Sequence, residues 1–597
     1  MVDTPTADTP REPDITHVNP AAEATWFGHP RQLARLFTTE MWERFGYYGM
    51  RALLTLYLTK HFVFGDREAT GLYGGFTALV YLTPLVGGYL ADQYLGSKRA
   101  VKFGAIVMAL GYFLLCFGGQ VSTPFATVDG QRYTVQVEEN AGVETRYVMD
   151  GGQRLKIKGN DDKSVDLLAP DGTVARHVAP DGFKSDADRS PFFVALMLLA
   201  LSMVSVGNGF FKPNISTMVG ELYAKGDRRR DSGFTIFYMG INLGSLGSQI
   251  LCPFLADAVG WWAGFGLAAL GMLFSYALIQ FDGGRLAGYG EPPVRQGPDR
   301  ALGIFALATL GVPIFYLLFV NLMNMAPPEP GSGIVGYIAS LSLMGKLLFG
   351  TFLIGVPGIL AWSFVKGSRQ EFQMMLAAMV LIVFNVVFWT LFEQAGSSLT
   401  LFADRNTDLS IFGLFSISAG QTQFFNAFFI VAFAPLMSIL WTQLAARGLE
   451  PSIPVKFAIA LIGVGAGFLF LVWGSRFAGP DFKVAVWWLA GLYLIHSLAE
   501  LCISPVGLSM ITKLSIARVV GLMMGVWFLS ISVAQYVAGV VAQIASVETV
   551  GGQVTNLKVS LDTYNQVFWT IGKTAVGIGV VLLLLAWPLK KWMHGVK

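Results

Sequence analysis

An all-α polytopic membrane protein carrying one β-rich insertion is the fold class the sequence predicts, on three observations. Of 597 residues, 53% are hydrophobic and only 14% charged, where a soluble domain carries roughly a quarter charged residues. The apolar residues fall in long runs, each at least as long as the roughly 20 residues a helix needs to cross a bilayer. Lys and Arg concentrate in alternate loops between those runs, the bias that sets orientation in a membrane. A net charge of +3 spread over several loops excludes a basic nucleic-acid domain and leaves the lipid bilayer as the surrounding partner.

Residues 1–30 are rich in Pro, Thr, Asp and Glu and have no apolar core, so a disordered cytoplasmic tail is expected rather than a secretory signal. Fourteen candidate spans follow, near 34–63, 70–94, 100–121, 191–222, 233–256, 260–281, 301–325, 335–365, 371–402, 420–445, 454–475, 485–513, 519–545 and 565–590. Several exceed the minimum crossing length and are expected to tilt or protrude. With the N-terminus inside, the inner loops and C-terminus hold 19 Lys and Arg, while the outer loops, the long insertion aside, hold 6. That asymmetry puts both termini in the cytoplasm. Six spans fill 31–282, two form a hairpin over 301–366, and six fill 370–592.

The insertion between the third and fourth spans, Ser122 to Ser190, holds 12 acidic and 9 basic residues and neither Cys nor Trp. Tyr133-Thr134-Val135-Gln136-Val137 alternates as a strand does, and Asp150-Gly151-Gly152 and Pro170-Asp171-Gly172 are turn signals between β-rich runs. A small β module on the outer, periplasmic face is expected. It serves either in docking a partner outside the membrane or in substrate capture, or is a tolerated decoration of a loop. Cys116, Cys252 and Cys502 lie in apolar runs without ligand spacing, which reads as buried thiols.

Ionisable side chains inside a span cost roughly 2.5 to 3.5 kcal/mol each on insertion scales, so each one is a functional candidate. Glu40, Glu43, Arg44, Tyr47, Tyr48 and Arg51 form one helical stripe in the first span. Its acids and bases can neutralise one another, either as a fixed ladder or as a switch in which protonating a carboxylate frees an arginine for another anion. Lys212 in the fourth span, Glu393 in the ninth and Glu500 in the twelfth are further single charges. Carboxylates, arginines, a lysine and tyrosines together suit a zwitterion, with protons as the coupling ion and no other cofactor. Of the six histidines, His496 alone lies within a span, one turn from Glu500, and reads as a packing residue. No HExxH or GxSxG occurs, which argues against a membrane enzyme.

These residues resemble the proton-dependent oligopeptide transporter (POT) family of the major facilitator superfamily. Glu40-Met41-Trp42-Glu43-Arg44 with the following tyrosines is similar to its ExxER signature. Tyr81-Leu82-Thr83-Pro84 through Gly96 is similar to its second-helix motif, and Phe237 through Gly244 to its fifth-helix motif. The Lys212 and Glu500 segments extend the match over both halves, and the hairpin near 301–365 resembles one that bacterial members carry. The resemblance implies a major-facilitator fold of two six-helix bundles plus that hairpin. It implies a bacterial inner-membrane symporter that imports di- and tripeptides with protons by alternating access.

By that resemblance Glu40, Glu43, Arg44 and Lys212 form the proton-linked network, with Glu393 as the other half's proton or gating carboxylate. Arg44, Arg51 and Lys212 would hold the peptide carboxylate, Glu500 and Asn426 its amino terminus, and Asn242 its backbone. Tyr47, Tyr48, Tyr81 and Trp527 would line the pocket, with ordinary packing the alternative for Tyr81 and Trp527. Asp92 with Lys98 and Arg99 resembles the facilitator loop motif, in which a carboxylate pairs with a base or caps a helix as a gate, plain topology-setting charge being the alternative. Mammalian members carry a histidine seven residues before the position of Tyr81; here it is Gly74, so only carboxylates remain to carry the proton. Protonation of Glu43 would release Arg44 to the peptide carboxylate. Two other functions stay open: a carrier of another small anion or peptide-like drug, and a receptor or scaffold that no longer transports.

Overall fold

The computed structural model describes residues 25–140, 143–224, 227, 229–294, 298–325 and 333–596. Its helices are α1 (Gln32–Leu56), α2 (Asp66–Leu90), α3 (Ser97–Leu115), α4 (Pro191–Glu221), α5 (Arg230–Ala258), α6 (Trp261–Gln280), α7 (Ala301–Thr309), α8 (Gly311–Met323) and α9 (Gly333–Ser340). They continue as α10 (Leu343–Lys366), α11 (Arg369–Phe392), α12 (Ser398–Asn406), α13 (Phe424–Ala446), α14 (Ile453–Gly474), α15 (Val486–Leu514), α16 (Val520–Ile544) and α17 (Leu557–Trp592). Local chemistry starts several of them. Ser368 and Glu371 form a reciprocal capping box at the head of α11, and the Asn556 side chain accepts from the first backbone N–H groups of α17, each satisfying donors a helix start leaves open.

The chain is a multi-pass membrane protein: twelve of its described helical stretches are long and apolar enough to cross a bilayer. That is two fewer than the fourteen runs read from the sequence. α1 and α3 stand outside the twelve because Glu40, Glu43, Arg44 and Arg51 charge the one, and Lys98, Arg99 and Lys102 the other. The apolar run near 371–402 is broken at Glu393–Gly396 by a 3₁₀ turn, and the run near 301–325 is broken at Leu310. Residues 25–30 depart from the expected disordered tail. Thr25–Trp26 pairs antiparallel with His29–Pro30, and the buried His29 places Nδ1 2.9 Å from Tyr223 Oη. The expectation for 1–24 lies outside the described residues.

The chain divides into two compact units. One comprises Met1–Arg51, Phe76–Phe117 and Leu196–Met344. Its helices meet at glycines. A Cβ on Gly87 of α2 would lie 2.0 Å from the Gly209 carbonyl oxygen of α4, and one on Gly104 of α3 would lie 2.5 Å from that of Gly207. Small residues at such crossings let backbones approach where lipid supplies no hydrophobic drive for association. α7 and α8 add Ala301 and Val312 to an apolar cluster with Leu95, Ala100, Val206 and Phe210.

The other unit comprises Ala52–Gly75, Gly118–Ala195 and Gly345–Lys597, so it holds the last turn of α1 and the first turns of α2 as well as the C-terminal helices. α14 packs on α15 and α17, and α11 on α16. Gly74 has a packing reason to be glycine, since a Cβ there would lie 2.6 Å from Gly539 Cα of α16. The same unit carries a seven-stranded antiparallel sheet. Its strands are β1 (Thr123–Val128), β2 (Gln131–Asn140), β3 (Val143–Asp150), β4 (Gln153–Gly159), β5 (Val165–Leu168), β6 (Val174–Val178) and β7 (Phe183–Asp188). They run in the order β6-β5-β4-β3-β2-β1-β7, with Phe125 of β1 opposite Thr134 on one side and Asp186 on the other.

Alternation along the strands buries one face of the sheet, including Ala126, Val128, Val135, Val148 and Leu167. Val550, from the loop between α16 and α17, completes that core. Polar contacts tie the sheet down on two sides. Arg189 donates to the Phe62 and Val63 carbonyls at 2.8 and 2.6 Å. On the other side Asn556 Nδ2 donates to the Gly159 carbonyl at 3.1 Å, and Lys558 pairs with Asp161.

Candidate functional site

The first unit assembles the charged stripe of α1 into a compact cluster. Arg44 Nη2 donates to Glu43 Oε1 at 2.7 Å and to Asn208 Oδ1 at 3.3 Å. Its Nε donates to Glu43 Oε2 and lies 3.3 Å from Glu40 Oε1. The three side chains are 0 to 2% exposed. Asn208 of α4 is held in turn by its amide donating to the Val80 carbonyl at 2.9 Å. Lys212, one turn further along α4, is within electrostatic reach of both carboxylates, and its Nζ sits 4.6 Å from the Tyr81 ring centre.

One guanidinium therefore serves two buried carboxylates, and Glu40 Oε2 has no hydrogen-bond partner among the described residues. That oxygen lacks the donor a buried carboxylate ordinarily has. Further along the stripe the Arg44 guanidinium lies 5.2 Å from the Tyr47 ring centre and Arg51 lies 6.0 Å from that of Tyr48. Aromatic faces of this kind hold cations without discharging them. Asn242 of α5 turns its amide back on its own helix, donating to the Tyr238 carbonyl at 3.0 Å.

Polar groups of α13 and α15 come together in the second unit. Asn426 Nδ2 donates to Ser497 Oγ at 2.9 Å and to Glu500 Oε2 at 3.4 Å. Glu393 is buried at the start of the 3₁₀ turn that ends α11, within electrostatic reach of Glu500. Trp527 of α16 is 7% exposed and packs against Gly507 of α15. His496 is bonded to the Val464 carbonyl at 2.9 Å and packed tilted against Phe392 and edge-on to Phe468, as a packing histidine.

A second buried ion pair in this unit had no counterpart in the sequence reading. Arg405, at the end of α12, donates through both terminal nitrogens to Asp66 at the head of α2, at 2.5 and 2.6 Å. The side chains are 0 and 1% exposed. Tyr564 Oη accepts from Arg405 at 3.2 Å, and the Val547 N–H donates to Asp66 at 3.0 Å. Nearby, Thr55 Oγ1 donates to the Gly396 carbonyl. Both charges stand at helix ends, Asp66 as the first residue of α2 and Arg405 next to last in α12, where they read as loop residues.

The expected loop motif is rearranged. Lys98 pairs with Asp282 at 3.2 Å and approaches Glu291 at 3.8 Å, and Arg99 pairs with Asp299 at 2.6 Å. Neither base pairs with Asp92, which has no ion pair among the described residues. The segment after α6 takes both bases because it lies directly over the head of α3. Lys98 N–H donates to the Gly290 carbonyl at 2.8 Å, and at Gly96, with φ +73°, a Cβ would lie 2.5 Å from Glu291.

Comparison with known proteins places the chain among transporters of one family. The model of the POT family matches residues 98–557. A dipeptide and tripeptide permease A of Erwinia pyrifoliae is 29% identical over 569 residues, covering 95% of this chain and 96% of its own. A peptide transporter of Yersinia enterocolitica, YePEPT, is 31% identical over 599 residues, covering 97% and 98%. Among solved structures, a peptide transporter POT in complex with sulfate aligns with a TM-score of 0.72 at 27% identity, over 96% of this chain and 98% of that one.

Proposed function

Because this chain belongs to the POT family, we propose that it is a proton-coupled symporter importing di- and tripeptides by alternating access. The chain is a transporter rather than an enzyme, and relatives of nearly its full length are a dipeptide and tripeptide permease and a peptide transporter. The observation that carries the coupling is the Glu40–Glu43–Arg44 cluster. Two buried carboxylates share one guanidinium, with Lys212 as the second cation in reach, so protonating one carboxylate frees a cation for another anion. In the proposed cycle a proton neutralises Glu43, its bidentate hold on Arg44 is lost, and Arg44 together with Arg51 and Lys212 takes the peptide carboxylate. Glu500, oriented by Asn426, takes the amino terminus, and Glu393 titrates as the second proton or gating site. Tyr47, Tyr48, Tyr81 and Trp527 bound the side chains, and Asn242 swings from its own helix to the peptide backbone.

The topology belongs to the same proposal: fourteen spans, α1 and α3 included, in a bacterial inner membrane with both termini in the cytoplasm and the β module outside. On this reading the Asp66–Arg405 pair lies on the outer side and latches it closed, while Lys98, Arg99 and Asp92 serve the inner side. The deciding experiment is uptake of labelled dialanine by the Glu43→Gln protein in liposomes. Gradient-driven accumulation is lost while peptide exchange persists; accumulation equal to the parent's refutes the role of Glu43.

A further inference from the structure

The second unit contains a cavity of about 600 Å³ between the β module and helices α16 and α17, lined by none of the residues given a peptide- or proton-binding role above. α16 packs on α11 and α17 on α14, so each of the two consecutive helices has its main partner elsewhere, and the cavity opens as a slot beside them. Along α17 its wall runs from Val559 through Thr563 and Val567 to Ile571, a single helical stripe about 18 Å long at ~1.5 Å per residue. The Thr563 and Thr570 hydroxyls donate back to the carbonyls of Val559 and Gln566 at 2.8 Å and so leave their methyl groups to the slot. Val541 and Ile544 of α16 line the other side.

The upper end of the slot is charged. Lys163 comes from the turn between β4 and β5, and Glu548 from the loop after α16. Burial holds the Glu548 carboxyl above its ordinary range, against the pull of Lys163. Lys163 has φ +67°, a backbone conformation that Gly or Asn adopts with less strain, and its N–H closes the turn on the Asn160 carbonyl at 3.1 Å. In the same lining Ser546 Oγ is buried without a hydrogen-bond partner among the described residues. A cation, an anion and an unsatisfied hydroxyl therefore line a slot in which Val541, Ile544, Val559, Val567 and Ile571 alternate with the polar Thr563, Gln566 and Thr570.

We propose that this slot binds a phospholipid with an amine headgroup: phosphate at Lys163 and Ser546, ammonium at Glu548, and one acyl chain along α17. The cavity has room for the headgroup and upper chain, and the remainder of the lipid stays in the surrounding bilayer. A free peptide zwitterion could satisfy the charges but would leave Val559, Val567 and Ile571 along α17 uncovered, which is why a lipid fits better. The site would couple the β module to the membrane in which the helices sit.

Native mass spectrometry of the full-length protein titrated with palmitoyl-oleoyl phosphatidylethanolamine tests this. The parent retains one such lipid, with about tenfold higher occupancy than the Lys163→Ala, Glu548→Gln double variant. Lys163→Arg keeps it, and Val567→Trp, which fills the slot below the charges, loses it. Retention in Lys163→Arg also shows that a change at this turn leaves the protein folded. Equal retention by the parent and the double variant overturns the proposal. So does equal retention of the phosphatidylcholine analogue, whose headgroup has no N–H to donate, or displacement of the lipid by millimolar dialanine, which would mark the slot as a peptide site.

Discussion

On the proposed latch, replacing Asp66 by Asn should open the outer side of the protein. In the structure each terminal nitrogen of Arg405 meets an Asp66 oxygen, at 2.5 and 2.6 Å, with both side chains essentially unexposed. Removing one partner of such a pair leaves the other charge buried, at a cost of roughly 3–5 kcal/mol, or a factor of about a hundred to a few thousand in an equilibrium constant. Tyr564 can replace only one neutral hydrogen bond to Arg405, worth about 1 kcal/mol net. An arrangement in which water reaches Arg405 escapes that cost, so the balance moves toward it. Ala69, one turn beyond Asp66 and fully buried, is a reporter site. In a protein with Cys116, Cys252 and Cys502 replaced by alanine, Ala69→Cys should react with a membrane-impermeant maleimide at least about tenfold faster when Asp66→Asn is added. A rate within twofold of the parent's would refute the latch.

Three further predictions concern the site and the packing beneath it. Glu500→Gln should weaken dialanine binding by about 10- to 100-fold, the worth of one charge-assisted hydrogen bond, and leave N-acetylated dialanine unaffected; calorimetry of both ligands checks it, and equal losses would contradict an amino-terminal role. Asn208→Leu removes the amide oxygen that accepts from Arg44 beside the two carboxylates. It should alter the pH dependence of counterflow exchange more than the affinity for peptide, which initial rates between pH 5 and 8 will show. Gly87→Leu would drive a side chain into the Gly209 backbone and cost roughly 1–3 kcal/mol of packing, read as a lower midpoint of thermal unfolding in detergent, while Gly88→Ala, whose nearest neighbour is 3.4 Å away, should leave that midpoint in place.

The helices and the charged stripe were legible because both rest on local periodicity. Apolar runs mark the helices, and the offsets of Glu40, Glu43, Arg44 and Tyr47 mark one face whatever the rest of the chain does. Turn pairs such as Gly151-Gly152 likewise foretell a β-rich segment, since φ > 0 at both residues is a backbone requirement. What stayed hidden depends on long-range partners. Arg405 and Asp66 are 339 residues apart, and each reads alone as a loop charge. Lys98 and Arg99 kept their charges but not the expected partner, because the bases meet Asp282 and Asp299 only after the segment following α6 folds over α3. Breaks inside apolar runs, as at Glu393 and Leu310, leave composition unchanged and so escape a hydropathy reading. The hairpin at residues 25–30 was masked by its Pro-rich neighbours, although His29 anchors it through Tyr223.

Uptake of labelled dialanine by the purified protein in liposomes, with and without an inward proton gradient, tests the central claim most directly. Proton-coupled peptide import requires accumulation above equilibrium only when the gradient is present, and its abolition by unlabelled di- and tripeptides. Peptide uptake that merely equilibrates, identical with and without the gradient, would contradict it.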